Sequence, residues 1–225
     1  MGLSENFNIA IKDYKYFLER KYPPKSILKI VGDKYMLTGK ERAMLFRGIT
    51  THSNINKRKN ILVKNIKSIK NKTFQIDGYN VLITVGSYLN GNMVFICNDN
   101  FLRDVSELHG KIFRNKFVER SLQLTIDYLK KNNVKNADFY LDEPISKSGE
   151  LCSEIRKCLI KNDISGKAQT CNSPDFILKN IDHGIICTSD SAIIDNCKVR
   201  VFDLARKVIL FHFNPIFVDL REIIS

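Results

Sequence analysis

Aspartates directly follow short apolar runs at widely separated places in this 225-residue sequence. Three such runs end at Asp77, at Asp142 and, after a Thr-Ser pair, at Asp190. If the runs are parallel strands, their carboxyl ends share one edge of a sheet, which is where open α/β sheets bind ligands. Acids that meet there repel one another, so either the pKa of some rises or a cation binds among them. We therefore predict a site built on these three residues, with Asp175 and Asp195 as further members.

The ligand atoms of such a site determine its chemistry. Carboxylate oxygens are hard ligands, which suit Mg²⁺ or Mn²⁺ and not zinc. A divalent cation can polarise a phosphoryl oxygen and lower the pKa of a bound water, which is the chemistry of phosphodiester hydrolysis. We predict Mg²⁺ or Mn²⁺ as the cofactor, with a metal-activated water as the attacking species.

Each of these polar residues also has a structural interpretation. An Asp after a strand commonly starts a turn or caps a helix. Asp175 follows Ser-Pro, which is a good helix start, and Asp195 could close a short helix over residues 191–194. Asn80 could bond a metal-bound water or satisfy nearby backbone groups. Ser189, next to Asp190, is a further candidate for the site.

The elements that would position these acids follow from the hydrophobic pattern. From residue 73, short apolar runs alternate with helical patterns, which predicts βαβ units and a parallel sheet covered on both sides, an α/β fold. The predicted strands cover residues 74–76, 93–97, 139–141, 185–187 and 199–202. Asp99 and Asp104 follow the second of these strands and could reach the same edge; a solvated loop is the alternative.

The excess of positive over negative charge is confined to the first third of the chain. Residues 1–75 hold 17 Lys and Arg against 5 Asp and Glu, a net charge of +12 that equals the net charge of the whole chain. Such a field attracts polyanions, although a charge run can also be a merely solvated surface. We predict nucleic-acid binding by Lys57, Arg58, Lys59, Lys64 and Lys67.

Helical spacing of apolar residues over 7–49 precedes this basic run. We predict a small, basic, all-helical domain over residues 1–55, a basic connector over 56–72 and the α/β domain over 73–225. The six cysteines contain no Cys-x-x-Cys pair and the four histidines are scattered, so a zinc site is not expected. Without a run of about 18 apolar residues, we expect a cytoplasmic protein with no membrane partner.

Residues 75–83, which read Gln-Ile-Asp-Gly-Tyr-Asn-Val-Leu-Ile, resemble the opening strand of the PIN and NYN superfamily of metal-dependent ribonucleases. Residues 140–142, 173–177 and 185–190 are similar, in the same order, to its second acidic strand end, its Thr-Ala-Asp helix and its Thr-Ser-Asp strand end. The resemblance implies a three-layer α/β/α domain with a central, mostly parallel sheet. It also implies that Mg²⁺ or Mn²⁺ is bound by Asp77, Asp142, Asp175 and Asp190.

The whole chain also resembles an uncharacterised archaeal family with a helical N-terminal domain. The resulting hypothesis is a metal-dependent ribonuclease, with endonucleolytic cleavage favoured and with DNA left open as a substrate. One alternative is a nucleic-acid-binding or scaffold protein that keeps the fold with little or no catalysis. Another is an enzyme that acts on a small phosphate ester. The oligomeric state stays open.

Overall fold

The computed structural model describes residues 3–69, 71–105 and 116–224. The described residues divide into two compact units. Those of the first fall within 1–60, 92–106 and 216–225, and those of the second fall within 61–91 and 107–215. The chain therefore leaves the first unit after residue 60 and returns to it twice.

The helices and strands follow one another along the chain from the first unit to the second and back. In chain order they are α1 (Glu5–Glu19), α2 (Pro24–Lys34), α3 (Gly39–Gly48), α4 (His52–Ile61), β1 (Phe74–Asp77), α5 (Gly78–Leu89), β2 (Val94–Ile96), β3 (Leu102–Asp104), α6 (Lys116–Lys131), β4 (Ala137–Asp142), α7 (Ser148–Lys161), β5 (Ala168–Cys171), α8 (Pro174–Asn180), β6 (Ile185–Cys187), α9 (Ser191–Ile194), β7 (Val201–Phe202), α10 (Leu204–His212), β8 (Val218–Asp219) and α11 (Leu220–Ile224). No helix within the described ranges combines the length and the hydropathy that crossing a bilayer requires.

The first unit begins with the predicted helical region. Apolar residues of α1 recur at helical spacing, and Phe7, Ile11 and Tyr14 are buried in one core with Phe95 of β2 and Leu220 of α11. Later segments of the chain add a small sheet in the order β3-β2-β8, in which β2 is antiparallel to β3 and parallel to β8. The first unit is thus a helical region completed by a sheet, where the sequence predicted helices alone.

The second unit is an α/β domain around a five-stranded sheet in the order β5-β4-β1-β6-β7, and every pairing between these strands is parallel. Helices α5, α6 and α10 pack together, α7 packs on β4 and β5, and α8 packs on β1 and β4. Helices α6 and α7 contact each other, and so do α8 and α9. Because the crossovers run in opposite directions from β1, the right-handed rule predicts that these two pairs cover opposite faces of the sheet. The predicted α/β fold with a central parallel sheet is confirmed.

The order of the strands creates a switch point beside β1. The chain runs outward from β1 to β4 and β5, then crosses back to β6 on the other side of β1. Crossovers on either side of such a point leave on opposite faces, which opens a crevice at the carboxyl ends of the two strands. Here those ends are Asp77 and the residues after Cys187.

The strand expected over residues 93–97 exists as β2, and it pairs within the first unit's sheet. The segment predicted over 56–72 as a basic connector with some structure contains the end of α4 at Ile61 and a bridge between Leu62 and Val201 of β7, next to which the Val63 N–H donates to the Val201 carbonyl at 2.7 Å. Strands β3, β5 and β8 were not predicted, because they are short or mostly polar.

Candidate functional site

Asp77 is the buried acid at the switch point. It is the last residue of β1 and the N-cap of α5, where its Oδ1 accepts the Asn80 N–H at 3.5 Å. Its Oδ2 accepts the Thr188 hydroxyl at 2.8 Å. Burial raises the pKa of Asp77 to about 7; the Thr188 hydrogen bond opposes this rise, and the charges of Asp190 and Asp175 add to it. Three of the predicted acids therefore act on one another electrostatically.

Thr188 joins the acid of β1 to the acid that follows β6. While its hydroxyl donates to Asp77, the same oxygen accepts the Asp190 N–H at 3.0 Å. Asp190 is the N-cap of α9, and its Oδ1 accepts the N–H groups of Ala192 and Ile193 at 2.7 and 3.1 Å. The carboxylate of Asp190 is consequently held in one orientation by the helix it starts.

Asn80 forms a second link across the switch point. Its Oδ1 accepts the Ser189 N–H at 2.8 Å and the Ser189 hydroxyl at 3.2 Å. The first turn of α5 is thereby tied to the end of β6. These bonds go to the end of β6 and not to nearby backbone groups, which was the structural alternative that the sequence left open for Asn80, and they fix Ser189 beside the two acids.

Gly78 allows α5 to begin close to the neighbouring strand. A Cβ at this position would lie 2.6 Å from Cδ2 of Leu141 and 3.0 Å from the carbonyl oxygen of Tyr140, both in β4. A residue without a side chain is therefore required directly after Asp77, and the reason is space. The glycine at this position thus allows the N-terminus of α5 to contact the end of β4.

Asp142 lies at the carboxyl end of β4, in register with Cys171 of β5. Burial raises the pKa of the Cys171 thiol, and the nearby charges of Asp142 and, more weakly, Asp77 add to the rise. Burial is also the main cause of the raised pKa of Tyr79, to which Asp142 contributes. The edge therefore continues from Asp77 of β1 to Asp142 of β4 and then to Cys171 of β5.

Asp175 and Asp195 occupy more exposed positions at this edge. Asp175 lies in the first turn of α8, where its Oδ2 is 3.4 Å from Nζ of Lys179. Asp195 is the exposed C-cap of α9. Both positions agree with the helix-end interpretations that the sequence left open. Asp175 in addition acts on Asp77, as described above.

Residues 66–207, which run from before β1 into α10, match the family described as "Domain of unknown function (DUF5616)". The chain belongs to the DUF5616 family. Residues 6–60 match "Protein of unknown function (DUF434)", which covers α1 to α3 and most of α4. An uncharacterised protein of Methanocaldococcus jannaschii is 36% identical over 205 residues, which are 89% of this chain and 95% of that protein. No solved structure matches the chain.

The DUF5616 segment contains all the acids of the switch-point edge, together with one that sequence reasoning missed. Asp203 directly follows β7, is buried, and caps α10 by accepting the Arg206 N–H at 3.1 Å. Its signal in the sequence is the same strand-then-Asp pattern. Thr188, the bridge between Asp77 and Asp190, was also missed as an individual residue, because a hydroxyl carries no signal of its own.

Asp99 and Asp104 also fall inside the DUF5616 segment, but they belong to the first unit, Asp99 in the turn between β2 and β3 and Asp104 at the end of β3. Asp99 is buried, 2.6 Å from Arg58 and 2.8 Å from Arg103. Burial alone would raise its pKa, but the two guanidinium groups hold the pKa of Asp99 below its usual value. Asp104 is 3.5 Å from Arg47. Both acids are therefore partners in ion pairs within the first unit.

The five residues predicted to bind nucleic acid include four exposed lysines and one buried arginine. Lys57 and Lys59 are exposed on α4, whereas Arg58 between them is buried against Asp99. Arg58 is therefore a structural residue, because its guanidinium is used inside the first unit. Lys64 and Lys67 are exposed at the start of the second unit.

The chemistry of the donor set at the DUF5616 edge fits a divalent cation. Its candidate ligand atoms are carboxylate oxygens, which Mg²⁺ binds in proteins. The pKa of Asp77 is raised because its negative charge is unfavourable at a buried position, and a bound cation would offset this. In the described ranges, however, no three Asp, Glu, His or Cys side chains are gathered closely enough to hold a metal ion. The edge thus has ligands of the right kind, which ion binding would have to draw closer together.

Proposed function

We propose that this protein hydrolyses RNA phosphodiester bonds with Mg²⁺ or Mn²⁺ at the aspartate edge of its second unit. The observation that carries the proposal is the buried Asp77, whose pKa of about 7 is raised by burial and by two further acids at a topological switch point. Burying one acid beside two others that repel its charge opposes folding, and perturbed groups of this kind cluster at functional sites. A crevice between β1 and β6 is also where a parallel α/β sheet takes its ligand.

The residues of this edge would either bind the cation or position the residues that bind it. Asp77 and Asp190 would hold the cation, with Asp142, Asp175 and Asp195 as further ligands. A bound divalent cation supplies polarisation of the phosphoryl oxygen and an acidified water. Thr188 orients both primary acids through its two hydrogen bonds, and Asn80 keeps the strand end of Ser189 in place.

Membership of the PIN and NYN superfamily is part of this proposal. Its support is the parallel sheet with helices packed against its strands, together with acids at or just beyond the carboxyl ends of β1, β4 and β6. RNA as the substrate is supported by the exposed lysines Lys57, Lys59, Lys64 and Lys67 and by the excess of positive charge in residues 1–75. We also propose a cytoplasmic location, because the six cysteines are free thiols.

A second candidate is an RNA-binding or scaffold protein with the same fold and little catalysis. It is favoured by the absence of a preformed group of three metal-holding side chains in the described residues. The pairing of Asp175 with Lys179 points the same way, because a neutralised acid has less need of a cation.

Cleavage of labelled RNA separates the two candidates. The full chain is incubated with single-stranded and with structured RNA, in Mn²⁺ or in chelator. The variants are Asp77→Asn and Asp190→Asn, with Asp182→Asn as the matched control, since Asp182 is an exposed acid that bonds His183 before β6. We expect Mn²⁺-dependent products from the wild type and the control, and a loss of at least about a hundredfold in the two site variants. Equal binding by all four proteins with no cleavage by any would instead support the second candidate.

A further inference from the structure

An aromatic–basic cluster at the carboxyl end of α1 has no part in the site described above. It consists of Tyr16, Phe17, Arg20, Lys21 and Tyr22. The Phe17 ring makes edge-to-face contacts with Tyr16 and Tyr22, at centroid distances of 5.6 and 5.4 Å. The Arg20 guanidinium carbon lies 3.7 Å from the centroid of the Tyr16 ring. Tyr16 and Tyr22 are nevertheless 52% and 53% exposed, so the cluster is a surface feature.

The turn after α1 fixes this cluster in place. The Lys21 N–H donates to the Leu18 carbonyl at 2.9 Å and the Tyr22 N–H donates to the Phe17 carbonyl at 3.2 Å, which is a Schellman motif. The contact between Tyr22 and Phe17 is the apolar contact that accompanies this motif. Lys21 has φ of 62°, a conformation that glycine adopts at lower cost. The turn therefore keeps a cation beside the two tyrosines where a glycine would be the usual choice.

Packing and pairing within the first unit do not account for Tyr16 and Arg20. Half of the Tyr16 surface faces solvent, and among the described residues no carboxylate lies within salt-bridge distance of Arg20. Arg20 instead lies over the Tyr16 ring, so a half-exposed aromatic ring and a guanidinium group share one surface. Such surfaces are the ones on which nucleobases stack.

The charge around the cluster is positive. Both nearby acids are engaged inside the first unit: Asp13 accepts from Lys34 and from the Tyr35 hydroxyl at 3.0 and 2.7 Å, and Glu19 accepts the His52 N–H at 2.7 Å. The cations of the segment are Lys12, Lys15, Arg20, Lys21 and Lys25.

We propose that the aromatic–basic cluster binds unpaired nucleotides of RNA. The bases stack on the surface of Tyr16 and Arg20 and on Tyr22, while Lys21 and the neighbouring lysines neutralise phosphates. Bases within a duplex are already stacked on one another, so the surface selects single-stranded segments. This inference rests on the proposed function for RNA as the substrate, and it adds that the bound strand is unpaired.

A second copy of the chain fits this surface less well. Self-association through the cluster would bring two positively charged segments together, which like-charge repulsion disfavours. A polyanion is attracted by the same charges. Charge complementarity therefore favours nucleic acid over a second copy of the chain as the ligand of this surface.

The test measures the affinity of the full chain for a labelled oligouridylate and for a duplex of equal length, with chelator present so that nothing is cleaved. Tyr16→Leu and Tyr22→Leu remove a stacking ring, and Tyr22→Phe keeps it. Phe46→Leu is the matched control, because Phe46 is an exposed aromatic residue of α3, at 44%. We expect about a tenfold loss of single-strand affinity in each leucine variant of the cluster, and no loss in Tyr22→Phe or Phe46→Leu.

Tyrosine fluorescence provides a second readout, because the chain contains no tryptophan and 8 tyrosines. Bound single-stranded RNA should quench part of this emission in the wild type, and less of it in Tyr16→Leu. Unchanged affinity in both leucine variants, or an equal loss for duplex and single strand, would overturn the proposal. A changed oligomeric state with unchanged RNA affinity would assign the surface to a second copy and would also overturn it. If stacking is observed while RNA is never cleaved, the catalytic proposal fails and this one stands.

Discussion

At the scale of single residues, the ionised carboxyl of Asp77 destabilises the fold, while the proposed cation site requires it. Its carboxyl is buried at the end of β1 and is bonded through Thr188 to the backbone of Asp190. A buried acid that served only as a helix cap could be replaced by Asn or Ser without the penalty of a charge. Its raised pKa is the property that a structural role does not require.

This shift makes the stability of the protein depend on pH. Below pH 3.8 the Asp77 carboxyl is protonated in both the folded and the unfolded chain, so its contribution to stability is fully present. As pH rises toward 7, the unfolded chain ionises first, and up to about 4 kcal/mol of unfolding free energy is lost. Urea denaturation of the wild type and of Asp77→Asn at pH 5 and pH 8 should show a smaller fall for the variant. Parallel falls in the two proteins would contradict the shifted pKa.

At the scale of elements, the strand ends were the predictable part of the site. Asp77, Asp142 and Asp190 could be found because each follows a short apolar run, and the structure places all three at carboxyl ends of one parallel sheet. Strand β5 could not be found, because only Ala168 of its four residues is fully buried and the edge strand lacks an apolar run.

Gly78 makes an element-level prediction about how α5 meets β4. Its added Cβ would approach the Tyr140 carbonyl oxygen at 3.0 Å and the Leu141 side chain at 2.6 Å, so Gly78→Ala should lower the unfolding free energy by about 1–3 kcal/mol. Gly149→Ala is the control, since nothing lies within 4 Å of a Cβ there, and it should be neutral or slightly stabilising. Chemical denaturation of the two variants provides the comparison. A neutral Gly78→Ala would mean that β4 and α5 are not in close contact.

At the scale of the whole molecule, the sequence could predict a basic helical start and an α/β remainder, but not the path between them. The first unit takes in residues 92–106 and 216–225, which are distant along the chain from its helices. The apolar pattern predicts that β2 is a strand, but it does not predict which strands pair with it. Register and sheet membership depend on tertiary packing, which no local pattern encodes.

The buried ion pairs of Asp99 make the first unit depend on one of these later segments. Asp99→Ala would leave Arg58 and Arg103 buried without their carboxylate, and should lower the unfolding free energy by about 3–5 kcal/mol. Asp33→Ala, which removes the exposed pairs with Lys29 and Arg42, should have a much smaller effect, because water screens exposed ion pairs. Unfolding followed by circular dichroism measures both. Similar effects of the two substitutions would refute the burial of Asp99.

The excess of positive charge predicts how RNA binding responds to salt. If Lys57, Lys59, Lys64 and Lys67 each neutralise one phosphate, they should contribute about −3 to the slope of the logarithm of the binding constant against the logarithm of salt concentration. Phosphates neutralised by Lys21 and its neighbours make this slope steeper. Filter binding between 50 and about 200 mM salt measures this slope. Replacing two of the lysines by Gln should make the slope shallower by about 1.5. A binding constant that does not change with salt concentration would contradict the neutralisation of phosphates by these lysines.

The central claim, that the switch-point acids bind a divalent cation, is tested most directly by calorimetric titration of Mn²⁺ into the full chain without RNA. We expect saturable binding by the wild type and by Asp182→Asn, accompanied near pH 6.5 by proton release as the Asp77 carboxyl ionises. In Asp77→Asn and Asp190→Asn the affinity should fall at least about tenfold. Absence of Mn²⁺ binding by the wild type, or equal affinity in all four proteins, would contradict the account.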